Sequence, residues 1–268
     1  MPFHRYVALG DSFTEGVGDP DAARPNGLRG WADRVAEVLA AEVPDFGYAN
    51  LAVRGRKLPA ILDEQVEPAL TLAPDLVSIH GGGNDVLRPR VDLDLLAAAY
   101  DGAVGRLVAS GAHVVMFTIA DPGANPVFKP LRGRMAIFNE WVREIADRQG
   151  ATLVDMWRMR GWKVEQVMDE DRLHLNAVGH QAIAIAVLDA LGADHALTPL
   201  PVAETPVRSA RERRAADLAW ARRHMAPWVH RRITGRSSGD GVEPKRPALA
   251  PITATDVAPA VTGRRLSS

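Results

Sequence analysis

Short apolar runs alternate with longer amphipathic stretches from Tyr6 to about Gly192. A short continuous apolar run is typical of a buried strand, and apolar positions three and four residues apart are typical of a helix that covers a sheet. The predicted strands lie in YVALG, FGYANLAV, DLVSIHGG, HVVMFTIA and ATLVDM. The predicted helices lie in WADRVAEVLAAEV, KLPAILDEQVEPAL, DLDLLAAAYDGAVGRLVAS, RMAIFNEWVREIADRQ and AVGHQAIAIAVLDALG. Five strands alternating with five helices predict a three-layer α/β/α sandwich with right-handed crossovers.

The pattern changes after Gly192. A linker punctuated by prolines, LTPLPVAETPV, leads into SARERRAADLAWARRHMAPWVHRRI, which predicts a basic helix with a capping box at Ser209 and Glu212 and an interruption near Pro227. The remainder is rich in Gly, Pro and Ser, and we expect it to be either disordered or laid over the body. We therefore predict a domain over residues 1–198 and a basic C-terminal extension over 199–268 that packs on it.

Composition excludes some chemistry. The chain has 268 residues, of which 47% are hydrophobic, and no cysteine, so neither disulfides nor cysteine-based metal sites are available. The sequence shows no signal-peptide core and no run of about twenty apolar residues such as a membrane span requires. We expect a cytoplasmic protein.

Charge is distributed unevenly along the chain. The extension carries 13 Lys and Arg against 6 Asp and Glu, whereas the preceding residues carry 19 against 27. The two parts attract each other, so we expect the basic extension to neutralise the body. We expect no nucleic-acid partner and no membrane association; attachment to an anionic lipid surface is the disfavoured alternative. The sequence leaves the oligomeric state open.

Chemically useful residues follow the predicted strands. Ser12 comes just after the first strand in GDSFTEG, Gly55 ends the segment after the second, and Asn84 follows the third in HGGGND. Asp171 lies three residues before His174, just ahead of the last helix of the body. Because ligand chemistry in such a sheet belongs at the carboxyl ends of the strands, we expect these residues to meet there.

These residue types suit acyl transfer. A serine hydroxyl becomes a good nucleophile when a neutral histidine accepts its proton, and a carboxylate on the other ring nitrogen holds the required tautomer. We predict Ser12 as nucleophile, His174 as base and Asp171 as its partner. The backbone N–H groups of Ser12 and Gly55 and the Asn84 amide are the predicted oxyanion hole.

The four blocks, GDSFTEG, NLAVRG, GGND and DRLH, occur in that order, and on them the chain resembles the SGNH hydrolases, also called GDSL esterases/lipases. The resemblance covers about Tyr6 to Gly192. It implies a flavodoxin-like, five-stranded parallel sheet ordered 2-1-3-4-5. It also implies hydrolysis through an acyl-serine without a cofactor. Phe13 stands where the family name would place leucine, at a commonly varied position.

Simpler interpretations exist for single residues. Ser12 could cap the first helix, with Glu15 completing a capping box, and Asn84 with Asp85 could form a turn. His180 lies six residues after His174, a spacing that does not align the two on one helix face, so we expect a packed histidine and no metal site.

Large apolar side chains near the cleft are candidates for a substrate pocket: Phe13, Phe128, Trp157, Trp162 and Met168. Core filling explains them equally well. The segment from Asp121 to Arg134, which contains Phe128, could cover the same cleft.

Taken together, the residues predict a carboxylic ester hydrolase with a Ser-His-Asp triad and a small-molecule ester as substrate. Acyl chain length stays open, as does the choice among esterase, thioesterase, deacetylase and lysophospholipase. The alternative is a non-catalytic binding or scaffold protein on the same fold that uses the basic extension to hold a partner.

Overall fold

One six-stranded sheet forms the centre of the protein. The computed structural model describes residues 2–125, 127–159, 164–202 and 209–252. The strands are β1 Arg5–Leu9, β2 Gly47–Asn50, β3 Leu76–Ile79, β4 His113–Phe117, β5 Thr152–Val154 and β6 Arg246–Pro251. Their order is β5-β4-β3-β1-β2-β6, and β1 to β5 are parallel. The expected order 2-1-3-4-5 is confirmed.

Ten α-helices lie in the described part of the chain. They are α1 Ser12–Glu15, α2 Gly30–Glu42, α3 Leu58–Thr71, α4 Gly83–Val86, α5 Leu93–Ala109, α6 Arg132–Gln149, α7 Val164–Val167, α8 Ala177–Leu191, α9 Ala210–Trp220 and α10 Ala226–Ile233. The five longest helices of the body match the predicted ones. Helices α2 and α8 cover one face of the sheet, and α3, α5 and α6 cover the other.

The core is divided by the sheet, as a parallel sheet covered on both faces requires. Successive residues of a strand point to opposite faces, so Val7 and Leu9 of β1 join the core under α3, α5 and α6. Tyr6 and Ala8 join the core under α2 and α8. This double burial fixes β1 in the middle of the molecule, and with it the position at which the chain leaves the sheet toward Ser12.

The extension adds a strand that the sequence did not predict. Strand β6 pairs antiparallel with β2 and so covers the edge of the sheet that five strands would leave open. Just before it, the Lys245 ammonium is buried, pairs with the Asp33 carboxylate and donates to the carbonyl of Arg29 at 2.8 Å. Burial lowers the pKa of Lys245 and raises the pKa of Asp33. Strand β6 and Lys245 are therefore the parts of the tail that contact β2 and α2.

The basic helix of the extension has the predicted start and the predicted interruption. Its capping box is confirmed, because Ser209 Oγ accepts from the Glu212 N–H and the Glu212 carboxylate accepts from the Ser209 N–H. The predicted interruption near Pro227 is confirmed: the α-helix ends at Trp220, and a π-helical turn, Ala221–Met225, separates α9 from α10, which begins one residue before Pro227. Pro227 has no N–H and its ring crowds the carbonyl four residues earlier, and the wider π-turn accommodates both effects while the helix continues.

The buried Lys245–Asp33 pair yields a stability prediction. Lys245→Met leaves the Asp33 carboxylate buried without its cation, so we expect the free energy of unfolding to fall by about 3–5 kcal/mol in urea denaturation. The control is Lys129→Met, at an exposed lysine, with an expected change within about 0.5 kcal/mol. Adding Asp33→Asn to Lys245→Met should recover part of the loss. If Lys245→Met lost no more than the control, the buried pair would not hold the extension.

Candidate active site

Ser12 stands at the point where β1 gives way to α1. Gly10 is held from both sides by the buried Gln65 amide, whose Oε1 accepts from the Gly10 N–H at 2.8 Å and whose Nε2 donates to the Gly10 carbonyl at 2.9 Å. Asp11 caps α1, because its carboxylate accepts from the Phe13 N–H at 3.1 Å. Ser12 is therefore the first residue of the helix, and the alternative in which Ser12 is the cap is wrong.

The Ser12 hydroxyl belongs to a continuous hydrogen-bonded chain. Ser12 Oγ lies 3.0 Å from His174 Nε2, and His174 Nδ1 lies 2.6 Å from Asp171 Oδ2. The other oxygen of Asp171, Oδ1, accepts from the backbone N–H groups of Leu173 at 2.8 Å and His174 at 2.9 Å. The backbone of its own loop thus holds Oδ1 of the carboxylate, and Oδ2 faces the imidazole.

The loop that carries His174 is packed into place. Asn176 caps α8 by accepting from the Gly179 N–H at 3.1 Å, and its amide donates to the carbonyls of Gln166 and Met168. Behind the imidazole, Gly18 approaches so closely that a Cβ there would lie 3.2 Å from the Cβ of His174 and 2.1 Å from the carbonyl oxygen of Leu175. The histidine is therefore held from both ends of its loop.

The electrostatics of the loop favour an ionised Asp171. Burial raises the pKa of this carboxyl, but the hydrogen bonds and positive charge of His174, together with the two backbone N–H groups, outweigh burial and lower the pKa from 3.8 to about 2. At neutral pH the carboxylate therefore accepts from the imidazole Nδ1–H. That interaction leaves Nε2 as the nitrogen that can take a proton from Ser12.

Asn84 connects the first three sequence blocks. It follows β3, at the second residue of α4, and its Nδ2 donates to Asp11 Oδ2 and to the carbonyl of Arg56, each at 3.0 Å. Asp11 belongs to the Ser12 block and Arg56 directly follows Gly55. The next residue, Asp85, is buried and accepts from the Leu58 N–H at 2.8 Å, so it caps α3 rather than facing a ligand.

An ion pair between a buried carboxylate and a half-buried arginine positions Gly55. The fully buried Glu15 carboxylate accepts from the Arg54 N–H at 2.7 Å and from Arg54 Nε at 3.0 Å. Gly55 follows with φ of +75°, a left-handed conformation that favours glycine. The pair ties the loop after β2 to the last residue of α1, three residues beyond Ser12.

The extension reaches this site from two sides. On the Asp171 side, Trp220 Nε1 donates to the Asp171 carbonyl at 3.0 Å, and Asp217 pairs with Arg172 at 2.8 Å. On the Gly55 side, a Cβ at Gly55 would lie 2.4 Å from the Ser237 hydroxyl. No sequence signal pointed to these contacts, because they join residues far apart in the chain. Asp11 was detectable, since aspartate just before a helix is a favoured cap.

The predicted pocket residues are distributed differently. Phe13 packs into an aromatic cluster, with ring centroids 4.6 Å from His80 and 5.4 Å from Trp31. Phe128 and Trp157 are half-buried against the core, and Met168 is half-buried and bridges to Leu175. Trp162 lies outside the described residues. Contact of these five side chains with substrate stays a prediction.

The segment from Asp121 to Arg134 borders the same loop. Its ends are joined by a two-pronged ion pair, because Arg132 Nε and Nη2 each lie 2.7 Å from the Asp121 carboxylate. In between, Asn125 Nδ2 donates to the carbonyl of Arg172 at 3.2 Å. The segment therefore contacts the residue between Asp171 and His174 in the chain, while its role as a cover stays a prediction.

His180 is accounted for by packing. It is fully buried, its Nδ1 accepts from the Trp31 N–H at 3.2 Å, and its Nε2 lies 3.2 Å from the Val17 carbonyl. Burial lowers the pKa of His180 to about 4. Among the described residues, no group of three or more His, Asp or Glu could hold a metal ion, and no helix in that part of the chain is long and apolar enough to cross a membrane.

Comparison with known proteins finds similar folds. LAE5, an α/β hydrolase from the metagenome of Lake Arreo, Spain, is 25% identical, with a TM-score of 0.60 over 70% of this chain and 95% of that chain. Axe2, an acetylxylan esterase from Geobacillus stearothermophilus, is 22% identical, with a TM-score of 0.58 over 71% and 95%. An uncharacterised protein of Bacillus subtilis (strain 168), YpmR, is 34% identical over 88 residues, which span 31% of this chain and 32% of YpmR.

A family profile covers most of the chain. The profile of the GDSL-like lipase/acylhydrolase family matches residues 8–182, a region that includes Ser12, Gly55, Asn84 and the Asp171–His174 pair. The chain belongs to the GDSL-like lipase/acylhydrolase family.

Proposed function

We propose that the protein hydrolyses carboxylic esters through an acyl-serine intermediate, with Ser12 as nucleophile, His174 as general base and acid, and Asp171 as the group that orients His174. The observation that carries the proposal is the unbroken chain from Ser12 Oγ to His174 Nε2 at 3.0 Å and from His174 Nδ1 to Asp171 Oδ2 at 2.6 Å. Membership of a family of lipases and acylhydrolases supports ester hydrolysis.

The geometry suggests how each proton moves. His174 Nε2 accepts the Ser12 proton as Oγ bonds to the ester carbonyl carbon, and the imidazolium is stabilised by the Asp171 carboxylate. The tetrahedral intermediate collapses when Nε2 returns this proton to the leaving alcohol oxygen. A water molecule then attacks the acyl-serine, Nε2 takes its proton, and that proton returns to Ser12 Oγ as the carboxylic acid departs.

The oxyanion is assigned to three donors. The Ser12 N–H is at the first position of α1, where helix amides have no carbonyl partner within the helix, and the Gly55 N–H follows the Glu15–Arg54 pair. The third donor is Asn84 Nδ2, which already has two acceptors, Asp11 and the Arg56 carbonyl. A developing oxyanion would compete with the Arg56 carbonyl for one of the two hydrogens as its charge grows, since a charged acceptor forms a stronger bond than a neutral carbonyl.

The scaffold alternative has no specific support in the described residues. The nucleophile, imidazole and carboxylate are all present and within hydrogen-bonding distance of one another. A scaffold protein would not need this arrangement. Deleting everything after Thr198 is a poor test of this alternative. Such a deletion removes β6 and Lys245, exposes the edge of β2 and leaves Asp33 buried without its cation.

Ser12→Ala tests the proposed nucleophile. Removing the hydroxyl removes the acyl acceptor, so we expect turnover of p-nitrophenyl esters from acetate to palmitate to fall by at least about 10³-fold at every chain length. The control is Ser110→Ala, a serine at the end of α5, which should keep full turnover. The acyl length that the wild type hydrolyses fastest distinguishes an esterase from a lipase. Undiminished turnover in Ser12→Ala would rule out the acyl-serine.

Asp171→Asn tests the orienting carboxylate. The asparagine oxygen would remain with the two backbone N–H groups and its NH2 would face Nδ1, forcing the tautomer whose Nε2 carries the hydrogen and cannot accept the Ser12 proton. We expect kcat to fall about 10⁴-fold with KM little changed. A loss below tenfold would contradict the assignment.

The free energy of unfolding should depend on pH differently in Asp171→Asn and in the wild type. The folded-state pKa of Asp171 lies below its ordinary value of 3.8, so its stabilising contribution is present above about pH 4 and is lost as pH falls toward 2. Urea denaturation between pH 5 and 2 should show a steeper loss of stability in the wild type than in Asp171→Asn. Parallel curves would contradict an ionised, bonded Asp171.

Asn84→Ala tests the third oxyanion donor. We expect kcat to fall about 10²–10³-fold, because one donor to the developing charge is lost, while KM changes less. Asn26→Ala, which removes an amide that donates to the Glu243 carbonyl, is the control for loss of a surface hydrogen bond and should keep kcat. A change in KM alone would indicate that Asn84 acts in ground-state binding instead.

A further inference from the structure

An apolar stripe lies on the outside of α9–α10, the helical segment from Ala210 to Ile233. Leu218 is 54% exposed and Ile233 is 80% exposed, and both rank among the most exposed large apolar side chains described. Ala221, Met225, Val229 and Ile233 follow one another at intervals of four, which places them along one side of the helix. They line a shallow, almost wholly apolar groove of about 470 Å³. Exposed apolar surface of this kind marks an interaction site.

Positive charge borders the stripe. Arg222 and His230 line the groove beside the apolar residues. From Ser209 to Arg236 the sequence has eight arginines against two acidic residues, and Arg222 and Arg223 are exposed. A helix with one apolar face and an arginine-rich border has the chemistry that binds an anionic lipid surface, with the apolar side chains entering the headgroup boundary and the arginines on the phosphates.

Side chains next to the stripe contact the candidate active site. Trp220 donates to the Asp171 carbonyl, and the Arg172 guanidinium lies 4.9 Å from the Trp220 ring centroid and pairs with Asp217. Beyond α10 the chain comes to Gly55 through Ser237. The helix that carries the stripe therefore lies directly against the loop of Asp171 and Arg172. The family profile ends at residue 182, before this helix begins.

We propose that the outer side of α9–α10 docks the protein on anionic lipid surfaces and brings the Ser12 cleft to esters dissolved in them. This reverses the expectation from the sequence, which assigned the basic charge of the extension to neutralising the body. Charge alone could not distinguish neutralisation of the body from lipid docking. Docking also needs an exposed apolar stripe, and whether the stripe is exposed depends on how the helix packs. The choice of lipid esters as substrates rests on the proposed function, whereas the docking itself does not.

Vesicle sedimentation tests the docking directly. The full chain carrying Ser12→Ala is used so that vesicles are not consumed, and it is mixed with phosphatidylcholine vesicles with or without phosphatidylglycerol. We expect at least about tenfold tighter binding to the anionic vesicles, weakening as salt is raised. Binding that is absent, or equal on both vesicles, would overturn the proposal whatever the esterase assays show.

Two variants and a matched control locate the surface. Leu218→Ser with Ile233→Ser removes the apolar contacts, and Arg222→Glu reverses a charge beside the stripe; each variant should weaken binding at least about fivefold. The control is Leu95→Ser with Ile137→Ser, an equally exposed leucine and isoleucine on α5 and α6, at 71% and 54%, which should bind like the parent. Without Ser12→Ala, the two helix variants and the control should hydrolyse soluble p-nitrophenyl acetate at the parent rate.

Light scattering distinguishes the main competitor, which is a second copy of the chain seated on the stripe. We expect the parent and the Leu218→Ser, Ile233→Ser variant to have the same mass in solution. A parent dimer that this variant converts to a monomer would overturn the proposal and assign the stripe to a subunit interface. Full vesicle binding by both helix variants would overturn it as well.

Discussion

Parallel strands deliver their carboxyl ends to one edge of a sheet, and the order of the strands decides which ends become neighbours. In this protein β1 lies between β3 and β2, so the chain segments that carry Asn84, Ser12 and Gly55 emerge side by side although more than seventy residues separate the first and last in sequence. His174 arrives by another route. It precedes α8, and because α8 packs beside α2 on one face of the sheet, the loop before it returns to the end of β1.

Buried polar contacts hold these segments in register. Gln65 bonds both backbone groups of Gly10, Glu15 bonds the backbone and side chain of Arg54, and Asn84 reaches Asp11. Each contact joins two of the elements that meet at the cleft. Breaking one of these bonds leaves a buried or half-buried group without its partner, at a cost of about 1–3 kcal/mol. The cleft therefore needs little reorganisation to hold its groups in place.

The strands and helices of the body were predictable because they depend on local patterns, whereas the order of the strands was implied by the resemblance to the SGNH hydrolases. Apolar periodicity located all five body strands and their helices, and the spacing of Asp171 and His174 within one short loop indicated their contact. Strand β6 was not predictable, because RPALAP lies in a proline-rich stretch and pairs with β2 about two hundred residues away. The orientation of α9–α10 was not predictable either. Hydropathy assigns residues to a face of a helix, but it does not show which face packs on the body.

The direction of the Asn84 amide follows from its partners. Its side chain could in principle present oxygen or nitrogen toward Asp11, but a carboxylate oxygen and the Arg56 carbonyl are both acceptors, so only the NH2 group satisfies the two contacts. Asp11 thereby determines that a donor, and not an acceptor, stands in the Asn84 position beside the Ser12 block. The same carboxylate caps α1 through the Phe13 N–H, so a single side chain sets both the helix start at Ser12 and the polarity of its neighbour.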